Sequence, residues 1–295
     1  CNDLWYCQKG MWNDGGNVGH DDCGKYSGDY QHECFCKDRY CDIICSIDFC
    51  QRHSWAFEGR KEKNDDAVSV SKNKQGALIA IVCDGVGSHS NAAYSSNYIV
   101  TTLEKEWQDL TFANFNNMKN WLCDRIEKFN TELFSKSKDK NEKMGTTIVS
   151  VAIFDGQVVV YNIGDSSAYG LTRDNEMNVL TVEDSFVGAL ISAGAITEEE
   201  AKNHPERHVL TQAIATKENI ELHTFIDDLS NYDYFLLCSD GLTNMVENEE
   251  IQNIVRNNEL TFAVDDLIDK CVKRGGVDNI SVAIIKNLRG DNHDK

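Results

Sequence analysis

The chain has 295 residues, 41% of them apolar, and a formal net charge of −19 that arises from 29 Lys and Arg against 48 Asp and Glu. So acidic a surface repels phosphate backbones and anionic lipid headgroups, which argues against nucleic-acid and membrane partners. No stretch reaches the roughly 20 apolar residues that a membrane helix needs. Because the chain begins at Cys1, we expect it to be a piece of a longer protein.

Residues 1–53 form a Cys-rich segment with almost no apolar periodicity. A segment so poor in core residues needs cross-links to fold, and either zinc or a set of disulfides would supply them. The spacing of His and Cys favours zinc. No Cys-x2-Cys pair occurs, however, so disulfides remain the alternative. The candidate zinc ligands are Cys7, Cys23, Cys34, Cys36, Cys41, Cys45, Cys50 and His53.

Four further cysteines stand singly in apolar patterns, at Cys83, Cys123, Cys238 and Cys271. A thiol in such a pattern behaves as a small core hydrophobe. Unpaired thiols are typical of a reducing compartment, so we expect a cytoplasmic protein.

From residue 54 to residue 290 the composition is that of one globular domain, followed by a tail, 291–295. Along the chain, the patterns predict strands at 67–70 and 77–83, helices at 91–110 and 116–136, strands at 145–154, 158–163 and 167–171, a helix at 197–203, a strand at 234–238, helices at 247–256 and 262–273, and a strand at 280–285. Antiparallel strands with helices in sequence-adjacent pairs predict an α+β fold. In it, helices flank both faces of an antiparallel β-sandwich, in the order α-β-β-α.

Acidic residues stand at the ends of these strands. They are Asp65, Asp66, Asp84, Asp165, Asp240 and Asp278. Each alone fits a cap or turn, as does Asp155-Gly156, which we predict to be an ordinary hairpin turn between two strands. Together at one edge of a core, they would repel one another by about 4 kcal/mol per close pair at an effective dielectric of about 20. Divalent cations would remove that cost, and oxygen ligands without His or Cys select magnesium or manganese.

The ordered motifs resemble those of the metal-dependent protein phosphatases, the protein phosphatase 2C family, in its bacterial form. The matching stretches are NDDAVSV (64–70), VCDGVGSH (82–89), MGTTIVSVAIF (144–154), YNIGDSSAY (161–169), LCSDGLTNMV (237–246) and GGVDNISVAII (275–285). Between them, residues 183–214 resemble the family's flap segment beside the active site. The likeness extends over about residues 54–286.

The resemblance implies a role for each aspartate. Asp84 matches the residue that bridges two metal ions, and the carbonyl of Gly85 would bind one of them. Asp240 and Asp278 match the terminal ligands of the first ion. The family's chemistry uses no protein nucleophile, because a water activated by two manganese or magnesium ions attacks phosphorus in line.

Three more aspartates complete the implied set. Asp65 and Asp66 match the family's acidic pair, which ligates metal directly or through water, and Asp165 matches the aspartate associated with a third, weaker ion. The implied catalytic residues are Asp66, Asp84, Asp240, Asp278 and Arg60.

The phosphate-binding position departs from the family pattern. The family's arginine slot holds Lys61, and Arg60 stands one residue early, so either side chain could hold phosphate. The family's GDSR motif is GDSS here, ending in Ser167, and Val86 stands where many eukaryotic members carry His. None of these changes removes a metal-binding aspartate.

We therefore expect a magnesium- or manganese-dependent enzyme that removes phosphate from phosphoserine and phosphothreonine of phosphorylated protein substrates. One alternative is a catalytically silent, phosphatase-like binding module, and another is a hydrolase of small phosphoesters. The Cys-rich segment matches no catalytic motif, so we expect it to recruit a partner or to aid folding.

Overall fold

The computed structural model of the protein describes residues 50–87, 90–140 and 143–288. Its strands are β1 (Cys50–Phe57), β2 (Asp66–Lys72), β3 (Leu78–Gly87), β4 (Met144–Thr146), β5 (Ile148–Phe154), β6 (Gln157–Ile163), β7 (Ser167–Thr172), β8 (Met177–Val179), β9 (His223–Asp228), β10 (Tyr232–Cys238) and β11 (Ile280–Asn287). Its helices are α1 (Ser90–Asp109), α2 (Phe115–Lys140), α3 (Phe186–Ser192), α4 (Glu198–Lys202), α5 (Asp240–Thr243), α6 (Asn248–Asn257) and α7 (Leu260–Lys273). None of the helices in these ranges combines the length and the apolar character that crossing a membrane requires.

The strands form two antiparallel sheets. One has the order β1-β11-β10-β7-β8, and the other has the order β2-β3-β5-β6-β9, with β4 also paired to β3. The hairpin between β5 and β6 turns at Asp155 and Gly156, whose φ angles of 53° and 75° are those a tight two-residue turn requires. The predicted turn at Asp155 is confirmed.

Strand β3 shows how the two sheets pack face to face. Its residues Leu78, Ala80 and Val82 lie in the core between the sheets, whereas Ile79 and Ile81 lie in the core beneath α1 and α2. Successive side chains of a strand point to opposite faces, so a strand covered on both sides needs a continuous apolar run.

Helices cover both outer faces of the sandwich. Trp107 of α1 and Phe129 of α2 are fully buried against the second sheet, and Leu267 and Ile268 of α7 are buried against the first. Burial of a large apolar side chain contributes roughly 1.5–3 kcal/mol, so these faces hold the layers together. The predicted α-β-β-α sandwich is confirmed within the described part of the chain.

The observed elements differ from the predicted ones in two ways. The predicted strand at 145–154 is divided into β4 and β5 at Thr147, whose side chain and N–H both bond to the backbone of Asp84. The sequence patterns also missed β1, β8, β9, α3 and α5, which are short or carry few apolar residues.

Strand β1 begins inside the segment 1–53 that the sequence patterns separate from the domain. It pairs with β11 from Cys50 opposite Asn287 to Phe57 opposite Ile280. His53 is buried in this strand, and its burial lowers its pKa. The tail 291–295 and most candidate zinc ligands lie outside the described residues, so the Cys-rich module remains a prediction. Those ligands are Cys7, Cys23, Cys34, Cys36, Cys41 and Cys45.

Candidate active site

The register of β2 against β3 places Asp66 directly opposite Asp84. Thr147 and Thr146 fix the backbone of Asp84, because its N–H donates to Thr147 Oγ1 at 2.9 Å and its carbonyl accepts from Thr147 N and Thr146 Oγ1, both at 2.8 Å. Opposed residues of an antiparallel pair share a face of the sheet, so the two carboxylates point to the same side. The break between β4 and β5 therefore rigidifies the site.

The first sheet contributes Asp240 and Asp278. Asp240 begins α5 two residues after the end of β10, and Asp278 lies two residues before the start of β11, the neighbour of β10. The two segments approach so closely that a Cβ on Gly241 would lie 1.9 Å from Asn279 O. Only glycine permits this approach, which explains the Asp-Gly pair here without a turn of the hairpin type.

Ser239 joins the two sheets at the site. Its hydroxyl donates to Asp66 Oδ2 at 2.8 Å and accepts from the N–H of Ser281 at 3.0 Å. Ser239 lies between the end of β10 and Asp240, so the residue that follows β10 holds the Asp66 carboxylate of β2. Ser239 carries no sequence signal of its own beyond its place inside the matching stretch LCSDGLTNMV.

Asn279 clamps the loop that leads into β2. Its Oδ1 accepts from the N–H of Asp65 at 2.9 Å, and its Nδ2 donates to the carbonyls of Glu58 and Lys63 at 2.8 Å and 3.0 Å. This asparagine was also missed, because its partners lie more than 200 residues away in the sequence. It determines how residues 58–65 present their side chains.

This loop brings Lys61 to the carboxylates. Lys61 Nζ lies 2.8 Å from Asp278 Oδ1, and this hydrogen bond is the main reason that the pKa of Lys61 is raised. The backbone N–H of Arg60 donates to Gly276 O at 2.7 Å, while its side chain is exposed. Of the two predicted phosphate ligands, Lys61 is the one that contacts the site aspartates in the structure.

Burial and mutual repulsion raise the pKa values of the site carboxyls. Burial raises the pKa of Asp66 to about 7 and that of Asp165 to about 8, and in both the charge of Asp240 adds to the rise. The pKa of Asp84 lies well above its usual range because of burial and then the charges of Asp66, Asp240, Asp165 and Asp278. The structure therefore brings these five aspartates within electrostatic reach of one another.

Asp65 and Gly85 complete the predicted set. Burial raises the pKa of Asp65, and the charge of Lys61 opposes the rise. A Cβ on Gly85 would lie 2.5 Å from Ala92 O and 2.6 Å from Asp65 O, so packing alone requires glycine there. Whether its carbonyl binds a metal remains a prediction.

The donor chemistry of the pocket fits small divalent cations. Asp65 Oδ1 and Asp66 Oδ1 are buried without a hydrogen-bond partner, and a hard cation would satisfy such oxygens. Over the described ranges, no three His, Cys, Asp or Glu side chains converge closely enough to form a metal site by themselves.

The segment 183–214, called the flap below, brings one further residue to the site. His208 Nδ1 lies 3.9 Å from Asp240 Oδ2, and the His208 side chain is about half exposed. A capping box of Thr197 and Glu200 begins α4 within the flap, which confirms the helix predicted there. No motif in the sequence marks His208 as a residue of the site.

A two-sheet sandwich with partly buried aspartates at one edge is the arrangement that the resemblance to the metal-dependent protein phosphatases implies, and comparison with known proteins agrees with that family. The family model described as protein phosphatase 2C matches residues 57–280. Protein phosphatase PhpP of Streptococcus pneumoniae is 35% identical over 228 residues, which cover 77% of this chain and 92% of that protein.

Two solved structures have the same fold. Serine/threonine phosphatase Stp1 from Staphylococcus aureus has a TM-score of 0.76 and 28% identity, covering 83% of this chain and 99% of that one. The catalytic domain of serine threonine protein phosphatase PstP, in complex with 2 manganese ions, has a TM-score of 0.70 and 24% identity, covering 80% and 97%. The chain belongs to the protein phosphatase 2C family.

Proposed function

We propose that this protein removes phosphate from phosphoserine and phosphothreonine of proteins, with two manganese or magnesium ions held by the aspartate pocket and a third, weaker ion at Asp165. One observation carries the proposal: aspartates from both sheets share a pocket where burial and mutual repulsion raise their pKa values. Family membership supports a serine/threonine protein phosphatase, and the manganese ions of PstP support the choice of metal.

The role proposed for each ligand is the one that the resemblance to the family implies. Asp84 would bridge the two ions with the Gly85 carbonyl beside it, and Asp240 and Asp278 would complete the first ion's ligands. Asp66, held by Ser239, would act directly or through water. When bound, the cations would supply a water of lowered pKa and offset charge on the phosphoryl oxygens.

Two basic side chains, Lys61 and Arg60, are proposed to bind the substrate. Lys61 supplies a positive charge beside the aspartates. We assign it the role of binding the phosphoryl oxygens of the substrate, as a single charge rather than through the two parallel hydrogen bonds that an arginine makes. Its partner Asp278 is then free for the cation. Arg60, the other predicted phosphate ligand, is exposed and stands one residue earlier in the chain, so we assign it contacts with substrate residues that flank the phosphate.

The test is phosphate release from a phosphothreonyl peptide with manganese, with a chelator, and with an Asp84→Ala variant. We expect turnover only with added metal, and loss of turnover in the variant. Calorimetric titration with manganese distinguishes the enzyme from the alternative of a catalytically silent module, because an active enzyme should bind at least two ions. Equal turnover by wild type and Asp84→Ala would refute the assignment.

For residues 1–53 we propose a zinc-stapled module that recruits a partner, with disulfides as the alternative staple. The buried free thiols Cys83, Cys238 and Cys271 support a reducing, cytoplasmic setting, which favours zinc. A chelator should release zinc and increase proteolysis within 1–53. If only a thiol reductant has that effect, the staple is a disulfide.

A further inference from the structure

Asp184 links the two ends of the flap by hydrogen bonds. The carbonyl of Asp184 accepts from the N–H of Thr211 at 2.8 Å, and its Oδ2 accepts from Gln212 Nε2 at 2.9 Å. Asp184 stands just before α3 at the start of the flap, whereas Thr211 and Gln212 stand at its end. One buried residue, 8% exposed, therefore closes the base of the flap.

The same carboxylate holds the turn that carries Asp165. Asp184 Oδ2 also accepts from the N–H of Gly164 at 2.9 Å, and the N–H of Asp184 donates to Gly164 O at 3.0 Å. Gly164 has a φ of +100°, and a Cβ there would lie 2.6 Å from Thr147 Cγ2, so the turn packs on the threonine that fixes Asp84. A shift of Asp184 would move this turn.

A third segment fixes the other oxygen. His223, in β9, places Nε2 2.9 Å from Asp184 Oδ1. Asp184 thus bonds to the flap base, to the turn before Asp165 and to an edge strand of the second sheet. A buried contact between a histidine and a carboxylate is weak evidence for stability, because desolvation cancels much of the attraction. The three segments that Asp184 joins indicate a role in positioning instead.

We propose that Asp184 is a positioning residue that holds Asp165 and the flap as one unit, so that substrate contact with the flap and the orientation of Asp165 depend on each other. The assignment of Asp165 to the weaker metal rests on the proposed function. The hydrogen bonds that link the flap base to the Gly164 turn through Asp184 do not rest on it, because the structure shows them directly.

Two variants of Asp184 separate its roles. Asp184→Ala removes every side-chain acceptor, and we expect kcat/KM with manganese to fall about 10- to 100-fold, as for other residues that orient metal ligands. Asp184→Asn can still accept from Gly164 and Gln212, and its amide can donate to a His223 ring that carries its proton on Nδ1. It should recover most of the loss.

Hydrogen exchange of the full chain gives a readout that does not need activity. Asp184→Ala should accelerate exchange of the Gly164 amide and of flap amides at 186–210 together. Asn287→Ala is the matched control, since the Asn287 side chain is also buried and donates to the carbonyls of Leu229 and Tyr232. The control should lower the melting temperature without accelerating those amides.

A double-variant cycle tests whether Asp184 acts through Asp165. In an Asp165→Asn background, Asp184→Ala should lower kcat/KM by less than about threefold, because coupled sites are not additive. The proposal would be overturned if the two losses of kcat/KM simply multiplied in the double variant, or if hydrogen exchange accelerated in the flap but not at the Gly164 amide.

Should Asp84→Ala prove as active as wild type, the proposed function fails, while the hydrogen-exchange result still decides whether the flap and the Gly164 turn are coupled. If Asp184→Ala does not fold, Gln212→Ala, which removes the side-chain hydrogen bond between the flap base and Asp184, gives the same comparison.

Discussion

Two Asp-Gly pairs lie at opposite ends of the second sheet and have different structures. Asp155-Gly156 has positive φ at both residues and forms an exposed hairpin turn beyond β5. Asp84-Gly85 remains part of β3, which continues to Gly87, and Asp84 lies opposite Asp66. The same dipeptide therefore bends the chain at one end of the sheet and presents a partly buried carboxylate at the other.

The difference comes from neighbours rather than from the dipeptide itself. At the turn, Asp tolerates positive φ and Gly permits it, and no other segment is needed. At the site, Gly85 is required by the closeness of Ala92 O and Asp65 O, and Asp84 meets charges from four other aspartates. A pair with packed neighbours becomes a site, and a pair without them remains a turn.

The largest expected effect contrasts these two ends. Asp84→Asn should lower kcat/KM for a phosphothreonyl peptide by at least about 1000-fold, since loss of metal-based charge stabilisation costs several kcal/mol. Asp155→Asn should stay within about twofold, because it lies outside the pocket and Asn also tolerates positive φ. Steady-state kinetics at saturating manganese measures both. Comparable losses would mean that the pocket is not the catalytic centre.

The next effect concerns the rim of the site. Lys61→Met should lower kcat/KM about 10- to 100-fold by removing the charge beside Asp278, whereas Arg60→Met should lower it less than about threefold. Both changes keep a long side chain, so each serves as the other's control. If Arg60→Met has the larger effect, a rearrangement on substrate binding brings the arginine in.

The pocket also predicts how stability depends on pH in the absence of metal. The folded pKa of Asp66 is raised from 3.8 to about 7, so the folded state binds its proton more tightly than the unfolded state does. The unfolding free energy of chelated wild type, measured relative to Asp66→Asn, should therefore fall as the pH rises from about 4 to about 7. Urea unfolding at several pH values measures it. Saturating manganese should abolish the fall.

The smallest expected effect lies at the turn. Asp155→Gly should change the unfolding free energy by less than about 1 kcal/mol, because glycine reaches positive φ without strain but loses more entropy on folding. Activity should not change. A large loss of kcat in Asp155→Gly would show that the turn at one end of the sheet is coupled to the site at the other end.

Much of the scaffold could be predicted from local pattern. The apolar run of β3, the spacing in α1 and α2, and the cap at Thr197 are each determined within a few residues. Strands β1 and β9 could not be predicted in this way, because their sequences, CQRHSWAF and HTFIDD, carry no apolar run. They become strands by pairing with β11 and β6.

The site shows the same division. By itself the sequence determined that aspartates stand at strand ends and that their order matches one family, because strand periodicity and turn chemistry are local. Only the tertiary structure decided the partners. Ser239 meets Asp66 from 173 residues away, Asn279 meets Asp65 from 214, and Asp184 meets Gly164 and His223. It also decided that Lys61 rather than Arg60 reaches Asp278. Such contacts depend on how two sheets and a flap come together, which no short window of sequence contains.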